Sequence, residues 1–301
     1  MNFFISVFMR SLNVIIESFI SDDPRYDLIW TDPVIMQQYA SLGRIEELGD
    51  YINSENYDLN DFEPEAIKAG THDGKIFGLP SCHTSNILMY RADLFDKYNF
   101  SVPETLDDLK SSALDIQEAE RSRGNKDFYG FASRGGPGWG YIGWIFPSTW
   151  APSWGIKWFD NQGKPVFCTA EHIEALKHHV DLLQKAGPPE IAEMDYADVM
   201  KCYEDGKVAM IIEVGMEYAY FYDKKHPIAE VSKCAVVPLG PNGESHPGLF
   251  SPHYVIPKGS KSKEASWELA KYLCSTDVQL DGALHSSAVD TSRKSVLLDS
   301  L

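Results

Sequence analysis

Apolar residues in this chain come in short runs that alternate between strand-like and helix-like spacing. Tyr26-Asp27-Leu28-Ile29-Trp30 is a compact apolar run that predicts a buried strand. Asp32-Pro33 behind it supplies an N-cap and a proline at the first helical position, so a helix follows and stops at Gly43. Asp73-Gly74 is a turn pair, and Gly78-Leu79-Pro80 closes the strand edge after it. Thr105 and Asp108 have capping-box spacing. Thr169 opens another helix in which Ile173, Leu176, Val180 and Leu183 share one face before Gly187-Pro188 stops it. Residues 208–212, 235–237 and 254–256 read as further strands, and Leu12, Ile15, Ile16 and Phe19 mark an amphipathic helix near the start. Strands alternate with helices, which implies an α/β class with a largely parallel sheet in each domain.

With 301 residues, 44% of them hydrophobic, the chain can bury a substantial core, and its length favours two domains. A formal net charge of −17 repels nucleic-acid phosphates and anionic membrane surfaces, and no nucleic-acid partner is expected. Cys82, Cys168, Cys202, Cys234 and Cys274 contain no C-x-x-C, and their odd number cannot pair completely, so mostly buried free thiols are expected. Residues 1–20 lack a basic start and carry Arg10 and Glu17 inside the apolar run, which makes neither a clean secretory leader nor a membrane span.

Catalytic signatures are absent: no H-E-x-x-H, no G-x-S-x-G and no G-x-x-x-x-G-K-[ST]. Gly135-Gly136-Pro137-Gly138 is no phosphate cradle, because the proline removes a backbone donor and no Lys-Ser/Thr pair follows. His172, His178 and His179 share a predicted helix, yet His172 and His178 face different ways. No metal and no cofactor are expected. With 44 acidic residues, two carboxylates across a cleft, as in a glycoside hydrolase, stay open as the alternative.

Four motifs in order resemble the extracellular solute-binding proteins of ABC importers, in the branch that takes sugars and polyols. They are Asp73-Gly74-Lys75-Ile76-Phe77-Gly78-Leu79-Pro80; Leu88 to Phe95 with Pro103-Glu104-Thr105-Leu106; Tyr203-Glu204-Asp205-Gly206-Lys207-Val208-Ala209-Met210; and Tyr254 to Lys261 with Glu264 to Leu269. The resemblance implies a two-lobe, type II periplasmic-binding-protein-like fold with the ligand in the cleft between the lobes. It implies that the chain crosses between lobes more than once. Residues 1–90 and 253–290 would form lobe one, 91–252 lobe two, and 291–301 would start a third crossing. It further implies a monomeric receptor outside the cytoplasm that closes on a sugar or sugar alcohol and docks on membrane permease subunits, without chemistry on the ligand. Measured against the family, the chain reads as truncated at both ends.

The site candidates follow from that geometry. Asp32 either accepts ligand hydroxyls or only caps its helix; His83 either contacts ligand or is merely solvated. Arg134 presents a planar fork to vicinal hydroxyls or forms an ion pair. Trp139 and Trp144 offer indole faces to sugar C–H groups, while Trp154 and Trp158 are assigned to packing. Glu213 and Tyr218 close the 208 strand, and Phe250 and His253 line either the cleft or the hinge.

Overall fold

Two adjacent residues in the left-handed region, Asp73 at φ 47° and Gly74 at φ 75°, turn β2 (Thr71–His72) directly into β3 (Lys75–Ile76). This is the two-residue hairpin geometry that an Asp-Gly pair favours. The computed structural model describes residues 13–137, 142–216, 218, 221, 226–285 and 290–299. It divides into two compact units, the first comprising residues up to Thr84 and from Phe250 onward, the second Ser85–Leu249.

In the first unit, β1 (Ile29–Thr31), β4 (Gly78–Pro80) and a later strand, His253–Val255, make a three-stranded sheet with the later strand in the middle. Both pairings are antiparallel, with Trp30 opposite Tyr254 and Tyr254 opposite Leu79. Gly78 is dictated by this register, since a Cβ there would lie 2.7 Å from the His253 Cβ. Phe19, from the helix spanning 13–20, packs with Ile29, Met36, Tyr39 and Val255 in one core cluster; Leu48, Phe62, Leu79, Ile256 and Trp267 form a second.

The second unit is built on β5 (Thr84–Arg91), β6 (Tyr129–Ala132), β7 (Val208–Val214) and β8 (Ser232–Ala235), ordered β6-β7-β5-β8, with β9 (Leu249–Phe250) paired to β5; the His253–Val255 strand is β10. Helix Leu106–Ser122 starts from the expected capping box, in which the Thr105 hydroxyl accepts from the Asp108 N–H and the Asp108 carboxylate accepts from the Thr105 N–H. It lies so close to β6 that a Cβ on Gly130 would sit 2.0 Å from the Ala113 carbonyl oxygen. Every residue of β7 is buried, and one continuous core joins Leu88, Met89, Phe131, Trp150, Leu182, Tyr203 and Ile211.

The α/β class stands, and four particulars differ from the sequence reading. β6 and β7 run parallel, whereas β1–β10, β10–β4 and β2–β3 are antiparallel and β5 pairs antiparallel with both β7 and β8. A strand carrying the chain from one unit to the other, or back, needs no helical crossover, so nothing forces it parallel to its neighbours. The first passage lies at Thr84–Ser85 and not at residue 90, because residues 86–91 are already bonded into the second unit's sheet. Residues 291–299 begin no third crossing: Thr291, Ser292 and Arg293 are buried in the first unit against Gln279, Asp61 and Tyr57. Helix Ala170–Ala186 buries His172, Ala175, His179, Leu182 and Leu183 and leaves Ile173 and Leu176 exposed at 47% and 43%. Its neighbours explain the rotation, since Phe146 and Trp150 meet the His179 imidazole at tilted angles and Trp158 meets that of His172 edge-on.

Candidate functional site

In the first unit the candidates gather where β1 and β4 end. Asp32 is the N-cap of helix Pro33–Ser41: its Oδ1 accepts from the Val34 N–H at 2.8 Å and from the Ile35 N–H at 3.1 Å. The capping role is therefore filled by Oδ1, on a half-exposed carboxylate. One residue earlier Trp30 is 44% exposed, and its indole Nε1 donates to Ser81 Oγ at 2.9 Å; Ser81 Oγ in turn donates to the Pro252 carbonyl at 2.9 Å. Phe250 meets the Trp30 ring edge-on at 6.2 Å between centroids. Trp30 was missed because its run reads as a buried strand; the signal lay in the alternation, since in a three-residue strand flanked by Ile29 and Thr31 the middle side chain points away from the core.

His83 has its Nδ1 buried without a hydrogen-bond partner among the described residues. Burial pushes its pKa down, against the opposing pull of Glu63, Glu65 and Asp290. Burial pushes the Asp290 carboxyl up, against a hydrogen bond from Thr84 and the field of His83. Burial thus favours the neutral imidazole of His83, beside an Asp290 carboxyl that gives up its proton less readily than usual. His253 is a different matter: it is fully buried in β10, Nε2 donates to the Ala66 carbonyl at 2.8 Å, and burial lowers its pKa to about 4. Its contacts are Ala66, Gly70 and Gly78, so it is a core residue and leaves the set of ligand candidates.

In the second unit two candidates find each other. Arg134 follows β6 and Glu213 lies near the end of the neighbouring β7, so parallel pairing brings their side chains together. Arg134 Nε donates to Glu213 Oε1 at 2.7 Å and Nη2 to Oε2 at 2.5 Å, with Glu213 fully buried and the Tyr196 ring 4.9 Å from the guanidinium carbon. Glu213 is fully buried with both oxygens accepting from Arg134, which withdraws it from ligand contact, and Arg134 commits Nε and Nη2 to this pair. The ion pair is an interior one.

Trp144 lies half-buried in the helical stretch 142–150, which widens into a π-helix at Phe146–Trp150. Its Nε1 donates to Asn86 Oδ1 at 3.2 Å, Asn86 Nδ2 donates to Thr149 Oγ1 at 2.7 Å, and the Gly248 N–H donates to the same oxygen at 3.0 Å. Neither Asn86 nor Thr149 carried a signal in sequence, because each depends on the partner the fold supplies. Tyr218 is half-buried against the core, and its hydroxyl bonds to the Cys234 thiol. Trp139 lies outside the described residues. Trp154 and Trp158 pack, as expected: Trp154 stacks on Trp150, and Trp158 Nε1 donates to the Pro147 carbonyl at 2.9 Å. Among the described residues no cluster of three His, Cys, Asp or Glu side chains is placed to hold a metal ion, and no helix is long and apolar enough to cross a membrane.

Comparison with known proteins places this arrangement. The model of the family described as bacterial extracellular solute-binding protein matches residues 13–280. The mannitol-binding protein of Pseudomonas aeruginosa is 27% identical over 223 residues, covering 73% of this chain and 50% of that protein. Among solved structures, an ABC transporter solute-binding protein of Agrobacterium vitis with bound D-mannitol superposes with a TM-score of 0.79 at 27% identity, over 91% of this chain and 66% of that one. Maltose-bound MalE3 of Thermotoga maritima gives 0.84 at 25% identity, over 95% and 71%. The chain thus spans about half the length of the curated relative and two-thirds of the solved ones.

Proposed function

Because the chain belongs to the bacterial extracellular solute-binding proteins, we propose that it is the receptor part of an ABC importer, capturing a sugar or sugar alcohol outside the cytoplasm for delivery to permease subunits, and that it leaves the ligand chemically unchanged. The observation that carries the ligand class is the pair of anchored indoles. Trp30 and Trp144 each have the N–H tied to a short polar side chain, Ser81 and Asn86 respectively. Each ring is held in one orientation, and its N–H is met from within. Trp30 is 44% exposed and Trp144 half-buried, and indole faces suit the C–H surface of a sugar ring or polyol chain. Asp32 and His83 in the first unit add an acceptor and a neutral imidazole for hydroxyls. The mannitol-bound relative supports a polyol in particular.

A hydrolase needs two carboxylates free to act on one bond. Glu213, the acidic candidate of the second unit, has both oxygens on Arg134.

Calorimetric titration of the purified chain with D-mannitol, ribitol and maltose tests the reading. One polyol or sugar should bind without product formation, and Trp30→Ala and Trp144→Ala should each weaken it by roughly five- to thirtyfold, as expected for removal of an aromatic platform worth about 1–2 kcal/mol. Release of a cleaved or modified sugar, or unchanged affinity in both variants, overturns it.

A further inference from the structure

His179 is an odd occupant of the second unit's core. It is 0% exposed, and both ring nitrogens lack a hydrogen-bond partner among the described residues. Its surroundings are rings: Trp150 at 4.6 Å between centroids and Phe146 at 5.7 Å, with Trp150 in turn against Trp154 at 6.5 Å and Phe131 at 6.3 Å. Trp150 Nε1 is also buried without a partner. A leucine or phenylalanine would fill such a place at no polar cost. The imidazole is the feature that needs a reason.

Both residues packed on His179 belong to Phe146–Trp150, the π-helical stretch that also carries Thr149. One side of this stretch rests on His179 through Phe146 and Trp150. The other side holds Asn86 through Thr149, and Asn86 holds the indole N–H of Trp144. A π-helical turn is a strained departure from the α-helix that recurs at functional positions. Here it is pinned on one side by a titratable ring and on the other by the polar cluster at Trp144.

We propose that His179 is an acid-sensitive positioning residue: when it takes a proton it must leave the aromatic pocket, and the 142–150 segment then loses the hold of Thr149 on Asn86 and Gly248 and the fixed pose of Trp144. An imidazolium with two N–H donors has no acceptor in that pocket, and the attraction of ring faces for a cation does not replace water around it. Burial accordingly holds the pKa near 3, with the neighbouring His178 pushing the same way. His178 is the ionisable group that faces His179, and it sits on the same helix; His178 is itself faced by Asp107 at 3.0 Å and by Lys110 from helix Leu106–Ser122, and by Asp181. Residues 142–154 carry no ionisable side chain. The proton therefore acts by favouring an open form in which His179 meets water. For a freed histidine titrating near 6.5, lowering the pH from 6.5 to 4.5 raises the open population up to roughly fiftyfold. Loss of ligand affinity in acid is the consequence, and that consequence rests on the receptor reading above.

Hydrogen exchange resolved by segment, on the ligand-free chain at pH 6.5 and 4.5 and corrected for intrinsic exchange chemistry, tests the device itself. Protection of 142–154 should fall tenfold or more in the wild type, starting from a level below that of helix Leu106–Ser122. The fall should vanish in His179→Phe and in His179→Gln. A pH-independent segment, the same fall in the variants, or a segment protected as well as the helix at both pH values overturns the proposal. If neither variant folds, the lower protection of the wild-type segment and its fall in acid decide. Titration with D-mannitol at both pH values adds the functional arm: affinity should fall in the wild type by the closed fraction that exchange shows to be lost, and less in His179→Phe. Absence of mannitol binding at either pH counts against the polyol reading, and the exchange data still decide the role of His179.

Discussion

The two units are held together by different means. The first has strands of only three residues in its main sheet and two separate core clusters, and it compensates with polar side chains. Arg293 donates to the Cys274 carbonyl, to Asp61 and to the Tyr57 hydroxyl, and stacks on Phe62 at 4.2 Å; Gln279 bonds to Thr291, Ser292 and the Ser81 carbonyl. The second has a large core around a fully buried strand, with a small cluster of Ala151, Ile156 and Ala175 besides, and near the end of that strand an interior bidentate ion pair. A distributed network loses one contact at a time. A pair inside an apolar core is lost whole.

The largest expected effect breaks that comparison most directly. Glu213→Ala leaves the Arg134 guanidinium buried, with the Tyr196 ring as a weak substitute, and should cost about 3–5 kcal/mol in urea denaturation. Asp61→Ala removes an acceptor that is partly in water and leaves Arg293 its bonds to Cys274 and Tyr57, so about 1–3 kcal/mol is expected. Equal costs, or a larger one for Asp61→Ala, would mean that both units depend on their charges in the same way.

Acid comes next. His253 in the first unit and His179 in the second are both held neutral by burial, near 4 and 3. A histidine whose folded pKa lies below its unfolded value of about 6.5 gives its stability in full above that value and loses it as the pH falls toward the folded pKa. Between pH 6.5 and 4.5 each buried histidine should therefore remove up to about 1.4 kcal/mol per pH unit. The depressed carboxylates Glu120 and Asp181, near 2, act in the same direction only below about pH 4.5, so the two windows separate. Denaturation at pH 7 and pH 5 should show a slope that weakens in both His253→Asn and His179→Phe. A slope that weakens in one variant alone assigns acid sensitivity to one unit.

Local chemistry carried most of the fold into the sequence: Asp32-Pro33, Thr105 with Asp108 and Asp73-Gly74 each form the element their residue types dictate. What escaped was tertiary. The face of helix Ala170–Ala186 turned on the preference of Phe146, Trp150 and Trp158 for imidazoles, which no hydrophobic period encodes. Strand direction followed from the passage of β5 between units. At the candidate site, residue type pointed to Arg134 and Glu213 as polar groups for a ligand, whereas parallel pairing of β6 with β7 gave them to each other. Asn86 and Ser81 became visible only through the indoles they anchor.

The smallest effect separates two uses of one side chain. Asp32 in the first unit and Thr105 in the second both cap a helix, and replacing either by Ala should cost about 1 kcal/mol. Asp32 differs in standing next to the exposed Trp30 and in carrying a charge on a half-exposed carboxylate. Asp32→Ser retains a capping oxygen and so should keep stability within about 0.5 kcal/mol, yet it withdraws the longer, charged acceptor from any hydroxyl of the ligand. Affinity for whichever polyol or sugar binds should then fall about tenfold in Asp32→Ser and stay unchanged in Thr105→Ser, measured by calorimetry beside a melting curve for each. If Asp32→Ser binds as well as the wild type, the cap is the whole of its function, and the first unit's contribution to the ligand reduces to Trp30, His83 and Phe250.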